Sequence, residues 1–178
     1  MSGGVSADPP SDHVALVGLP GSGKSTLAPL LASRLGQRSV VDLDRLLEQQ
    51  FDQAVSVIFA EHGEVAFRDA ESDALRRALD GPPAVIATGG GAVLDAGNRQ
   101  MLSRSARVVW LRAHPQHLAE RLAGSAAARP LLAGDPAFAL ARLSEEREAL
   151  YAQVADLVVD VDGVDAHDLA DEVARSLG

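Results

Sequence analysis

Cysteine is absent from these 178 residues, and lysine occurs once. Without cysteine, neither a disulfide nor a thiolate metal site can form, which fits a reducing compartment, so a cytoplasmic location is expected. Aromatic residues are scarce, with four Phe, one Trp and one Tyr. The hydrophobic share is nevertheless 47%, supplied mostly by Ala, Leu and Val, and supports a globular fold. Positive charge is in deficit: 16 Lys and Arg stand against 25 Asp and Glu, a net charge of −9. That argues against general nucleic-acid binding, and an anionic ligand would need a local cluster of arginines. No apolar run approaches the ~20 residues of a membrane span. The N-terminus also lacks an apolar signal core; residues 1–12 read as a disordered leader before one domain over 13–178.

What is present centres on residues 14–25. Val14-Ala15-Leu16-Val17 is a short apolar run that reads as a buried strand. Gly18-Leu19-Pro20-Gly21-Ser22-Gly23-Lys24-Ser25 follows and matches the phosphate-loop pattern G-x-x-x-x-G-K-[ST] at every fixed position. Thr26, Leu27, Leu30, Leu31 and Leu35 then continue at helical spacing. Strand, glycine loop and helix are the context the motif requires. Such a loop turns backbone N–H groups and a helix N-terminus toward an anion. Lys24 is placed to reach the β- and γ-phosphates, and the Ser25 hydroxyl to hold Mg²⁺. The single lysine therefore stands where a compact ammonium suits better than a guanidinium fork.

The pattern predicts a strand over 13–17, a helix over 24–35 and a strand over 39–42. Pro29 lies inside the first helix and predicts a kink or break there. Asp42-Leu43-Asp44 falls at the end of the second strand, where open parallel sheets bind ligands. Read as an extended D-x-D, it puts two carboxylates on one side, for a metal or a substrate hydroxyl. The competing reading makes Asp44 the cap of a helix starting at Arg45. A short helix over 53–60 and a longer one over 64–79 are separated by Gly63. On the longer helix Arg68 and Glu71 are neighbours, and the residues alone favour a solvated surface pair.

Ala84-Val85-Ile86-Ala87 reads as a strand, and Gly89-Gly90-Gly91 after it lets a ligand come close to backbone amides. A helix over 95–102 and a strand over 107–111 follow. Pro115 opens the next helix, and His114 and His117 read as surface residues. Residues 123–135, small and glycine-bounded around Arg129, have the composition of a mobile lid. A helix from Pro136, a strand over 157–159 and a helix from about Asp165 close the chain. Five strands alternating with helices predict a parallel sheet covered on both faces with right-handed crossovers.

Taken together, these motifs resemble the shikimate kinase family of P-loop kinases. The carriers are Gly18 to Ser25, Asp42-x-Asp44, Phe67-Arg68-x-x-Glu71, Gly89-Gly90-Gly91, Arg129-Pro130-Leu131-Leu132 and Arg147-x-x-x-Tyr151, in the family's order and spacing over about residues 13–177. The resemblance implies a nucleoside monophosphate kinase-like α/β fold with five parallel strands and a lid. It implies phosphorylation of the shikimate 3-hydroxyl by ATP with Mg²⁺, in aromatic amino acid biosynthesis, by a monomer. Gly21, Ser22, Gly23, Lys24, Ser25, Thr26 and Arg129 would bind ATP. Asp42 would join Ser25 at the metal, in its outer shell. Asp44 would grip the hydroxyls and act as base. Arg68, Arg147 and the Gly89, Gly90 and Gly91 amides would hold shikimate, with Phe59, Phe67 and Glu71 lining the pocket. Catalysis would rest on Asp44, Lys24 and Arg129. Pro29 and the alanine-rich run before Arg129 depart from the family's pattern, leaving Arg121 as the named candidate for adenine. A gluconate kinase of the same fold and a non-catalytic ATP sensor are the rival readings; the first is separated by a substrate panel.

Overall fold

Five short apolar runs become the strands β1 (Val14–Val17), β2 (Ser39–Asp42), β3 (Ala84–Ala87), β4 (Arg107–Arg112) and β5 (Leu157–Asp160). The computed structural model describes residues 12–123 and 134–178. The expected leader, apart from Asp12, and the expected lid, apart from its ends, therefore lie outside the described residues, as does Arg129. All strand pairs are parallel, in the order β2-β3-β1-β4-β5. Val14 pairs with Val85 on one side and Arg107 on the other, so β1 is central. Its residues and those of β3 are all buried, as the unbroken apolar runs require of interior parallel strands. The outer strands β2 and β5 alternate or open to solvent.

Seven helices are described: α1 (Lys24–Arg34), α2 (Leu43–Phe51), α3 (Val55–Leu79), α4 (Ala96–Ser105), α5 (Pro115–Leu122), α6 (Pro136–Val154) and α7 (Ala166–Leu177). Helix α1 packs on α7 and on β3, whereas α4 and α6 pack on β4. Their apolar stripes close a core in which Leu16, Leu27, Leu31, Ile86, Leu102, Leu111 and Leu118 are fully buried. Among the described residues, no helix is long and apolar enough to cross a membrane.

Three local expectations change. Helix α1 runs on through Pro29 rather than breaking there. The N–H that Pro29 lacks would have met the Ser25 carbonyl, and both residues are exposed, so water can serve that acceptor. Helix α2 begins at Leu43, not Arg45, and its N-cap is Asp42, whose Oδ1 accepts from Arg45 N at 3.2 Å. The stretch 42–44 is thus not an extended D-x-D: Asp44 sits in the first helical turn, where the helix dipole favours a carboxylate. Gly63 does interrupt α3, at φ 81° and ψ 168°.

The parallel order has one consequence for function. Every loop that follows a strand emerges at the same edge of the sheet. The glycine loop after β1, Asp42 and Asp44 after β2, and Gly89–Gly91 after β3 are therefore neighbours.

Candidate active site

The glycine loop wraps tightly, with positive φ at Gly18, Gly21 and Gly23. Its turn is closed by Ser22 N donating to Leu19 O at 3.2 Å, and α1 starts with Leu27 N donating to Gly23 O at 2.8 Å. Leu122 of α5 packs on Gly21 so closely that a Cβ there would lie 2.9 Å from Leu122 Cδ1. Lys24, only 8% exposed, turns back over the loop. Its Nζ donates to Gly18 O at 2.8 Å and to Leu19 O at 2.9 Å, with Ser22 Oγ at 3.4 Å. An incoming phosphate would meet an ammonium already centred in the loop. Ser25 and Thr26, next on α1, are exposed.

The second half of the site forms around the glycine triplet. Pro20 of the phosphate loop packs against Gly90, where a Cβ would stand 2.9 Å from Pro20 Cδ. The two loops are thus in contact. A Cβ on Gly89 would lie 2.1 Å from Glu71 Oε1 and 3.3 Å from Asp44 Oδ1. One on Gly91 would lie 2.4 Å from both Arg68 Nη1 and Nη2. The triplet is glycine because α2 and α3 press their charged side chains onto its backbone.

Arg68 and Glu71 are not the solvated pair that their spacing alone favoured. Arg68 Nη1 donates to Glu71 Oε2 at 2.8 Å, and the Glu71 side chain is only 1% exposed. Burial pushes the Glu71 carboxyl up; Arg68 pulls it down, Asp44 raises it and Arg147 lowers it. Its raised pKa means that its contribution to stability is full in acid and is lost as pH rises through that pKa. Arg68 also lies over the Phe67 ring at 5.4 Å, and Phe59 meets Phe67 at 5.6 Å between centroids. Phe67 is buried and Phe59 half-buried, so the two rings pack together beside Arg68 on α3.

Arg147 reaches the same place from α6. It is 3% exposed, and its Nε has no hydrogen-bond partner among the described residues. Glu71 Oε1 and Arg68 Nε are in the same condition. One buried and one half-buried guanidinium, each with its Nε unmet among the described residues, could meet an anion with two acceptor oxygens. The sequence motif that contains Tyr151, one turn further on, gave it no role; its Oη donates to Gly90 O at 2.5 Å. Its position four residues after Arg147 on the same buried stripe was the available signal.

A phosphate loop touching a cradle of two carboxylates, exposed Asp44 and buried Glu71, and two guanidiniums has the parts a kinase for a small acid needs. A family model described as Shikimate kinase matches residues 20–178. The chain belongs to the shikimate kinase family. A shikimate kinase of Symbiobacterium thermophilum is 44% identical over 93% of this chain and 95% of its own. One of Moorella thermoacetica is 41% identical over 93% and 94%. Among solved structures, shikimate kinase from Acinetobacter baumannii in complex with shikimate superposes with a TM-score of 0.88 at 33% identity, covering 93% of this chain and 92% of that one.

Other expected residues have plainer surroundings. Arg121 Nη2 donates to Val161 O at 3.1 Å, tying α5 to the end of β5. His114 caps α5, and His117 Nδ1 stands 3.2 Å from Asp162 Oδ1, a partner that sequence proximity could not reveal. No group of three or more metal-ligating side chains is present among the described residues.

The glycine contacts give a test that separates packing from binding. In Gly91→Ala the new methyl must displace the Arg68 guanidinium, the mobile end of a half-buried chain. The shikimate KM is expected to rise several-fold, less than the loss of a whole charge-assisted contact because Arg68 is displaced and not removed, with little change in thermal midpoint. In Gly89→Ala the methyl meets Glu71, which is buried and cannot move away. That variant is expected to lose about 1–3 kcal/mol of stability as well. Equal behaviour of the two in thermal melts would show that Arg68 and Glu71 do not differ in freedom as described.

Proposed function

We propose that this chain transfers the γ-phosphoryl group of ATP to the 3-hydroxyl of shikimate, giving shikimate 3-phosphate and ADP for aromatic amino acid biosynthesis. The single observation that carries the reading is the pair of guanidiniums that meet at Glu71 beside the glycine triplet, half-buried Arg68 and buried Arg147, each with its Nε unmet among the described residues. That pair suits a carboxylate, which shikimate and gluconate share. The closely packed glycine triplet beside it suits a rigid ring better than a flexible chain, and so favours shikimate over gluconate.

In this reading Arg68 and Arg147 take the carboxylate, and the Gly89, Gly90 and Gly91 amides support the ring. Asp44 accepts hydrogen bonds from the hydroxyls and takes the proton of the attacking one. Glu71 holds Arg68, while Phe59 and Phe67 give the ring an apolar wall. Gly21, Ser22, Gly23, Lys24, Ser25 and Thr26 bind the phosphates, and Arg129 brings a second cation to them. Phosphoryl transfer needs alignment and charge neutralisation more than covalent chemistry, and these groups supply both.

Mg²⁺ fits the residues present. One exposed hydroxyl, Ser25, and one nearby acidic strand end, Asp42, suit a cation that arrives with the nucleotide phosphates and keeps water ligands. When bound it would neutralise charge on the β- and γ-phosphates. Asp42 Oδ1 already serves as the α2 cap, so a water-bridged contact would fall chiefly to its other oxygen. A cytoplasmic monomer is the proposed working state.

Initial rates with Mg·ATP and shikimate test the reading, with gluconate as the competing acceptor. Shikimate-dependent ADP release is expected; its absence from folded protein would overturn the assignment. Arg68→Ala and Arg147→Ala are each expected to raise the shikimate KM by about 10–100-fold, from charge-assisted contacts worth roughly 1.5–3 kcal/mol. The ATP KM should stay near wild type in both. An unchanged shikimate KM in either variant removes that arginine from the substrate's carboxylate.

A further inference from the structure

Tyr151 is the chain's only tyrosine, and none of the roles above uses it. It is 1% exposed. Because a carbonyl can only accept, its 2.5 Å bond to Gly90 O requires the phenol to donate. Burial pushes the phenol pKa up to about 12, against an opposite pull from Arg147 beside it. The proton therefore stays on the oxygen throughout the working pH range.

The bond does more than fill a vacancy in the core. The Gly90 carbonyl and the Gly91 N–H belong to one planar peptide group, and in a trans peptide they point in opposite directions. No cis peptide occurs among the described residues. Holding Gly90 O against α6 therefore aims the Gly91 N–H away from α6. A glycine stands on each side of this peptide, so no Cβ restrains its rotation. On its other side the Tyr151 ring meets Trp110 at 5.7 Å between centroids and borders a cavity of about 390 Å³ that Leu19 and Glu148 also line. The hydrogen bond registers this ring to the turn. Arg147 is about one helical turn earlier in α6 by its four-residue spacing, so one rigid segment carries both the guanidinium and the clamp.

We propose that Tyr151 is a positioning residue of the acceptor site: its phenol fixes the Gly90–Gly91 peptide so that the glycine turn and Arg147 meet the substrate in one register. It touches no reacting atom. The inference rests on the shikimate reading and deepens it.

Tyr151→Phe keeps the ring and deletes the hydroxyl, with its bond to Gly90 O and its contact with Arg147. The shikimate KM is expected to rise about tenfold as the turn and Arg147 lose their common register. The kcat and the ATP KM should stay near wild type, and the thermal midpoint should fall by only a few degrees, as for one lost buried hydrogen bond. A parallel rise in both KM values would make Tyr151 a general core residue and overturn the inference. So would an unchanged shikimate KM, while wild-type turnover of shikimate leaves the functional reading standing. Absence of that turnover in wild type overturns the functional reading and the inference with it. A second measurement needs no substitution. Biosynthetic 3-fluorotyrosine gives a single fluorine resonance, because the chain has one tyrosine. Shikimate is expected to shift that resonance and Mg·ADP alone to leave it in place; a signal blind to shikimate overturns the proposal.

Discussion

Asp44→Asn is expected to lower kcat by about 10²–10⁴-fold, the usual worth of general-base help. The amide still accepts a hydrogen bond from a hydroxyl but cannot take its proton at neutral pH. Nucleotide affinity should persist, because Asp44 lies on the glycine-triplet side of the site, 3.3 Å from where a Gly89 Cβ would stand. Stability should change little, since the cap of α2 is Asp42 and not Asp44. Loss of a first-turn carboxylate from a helix is worth only about 0.3–1 kcal/mol. Single-turnover rates with Mg·ATP and shikimate, beside an Mg·ADP titration, measure both quantities. Turnover close to wild type would leave Asp44 with a binding role and return the base to another group.

Lys24→Ala is expected to cost about 10²–10³-fold in kcat/KM, the range found when one preorganised donor to a developing anion is removed. The ammonium is held between Gly18 O and Leu19 O, so the cost has a second source: both carbonyls lose their donor. Lys24→Arg should fail to restore activity, because a planar fork cannot sit where a compact ammonium meets two carbonyls of one tight loop. The lone lysine permits a chemical version of the test. An amine-directed reagent can modify only Lys24 and the chain's α-amine. With Lys24 8% exposed, its labelling should be slow and slower still with Mg·ATP bound. Activity should fall in step with Lys24 modification measured by peptide mapping. Full activity after complete modification would overturn the phosphate-loop role.

The phosphate loop was legible because its chemistry is local. Eight consecutive residues carry the turn, the amides and the ammonium, and the flanking strand and helix are short-range patterns too. The same holds for the stop at Gly63 and for Pro115 and Pro136 as first helical residues. Local pattern was less reliable where two local devices compete. Asp42 and Asp44 are both good helix caps, and the sequence does not say which one the strand leaves at the boundary. Pro29 reads as a helix breaker, yet α1 continues, because α1 is packed along its length on α7 and β3 and one solvent-facing bond is a small loss.

Residue order and type alone determined the five strands, most of the helices between them and the phosphate loop, and named the side chains proposed for the acceptor. Those depend on hydrophobic period, turn chemistry and spacing, which are written along the chain. Only the tertiary structure decided that β1 lies between β3 and β4, and that Glu71 is buried with Arg68 half-buried against it. It also joined Tyr151 to Gly90, 61 residues away, and seated Pro20 on the glycine triplet. The physical reason is common to all of these. Burial and charge pairing depend on which faces meet when helices and strands pack, and that is a property of separations in space that no local spacing encodes.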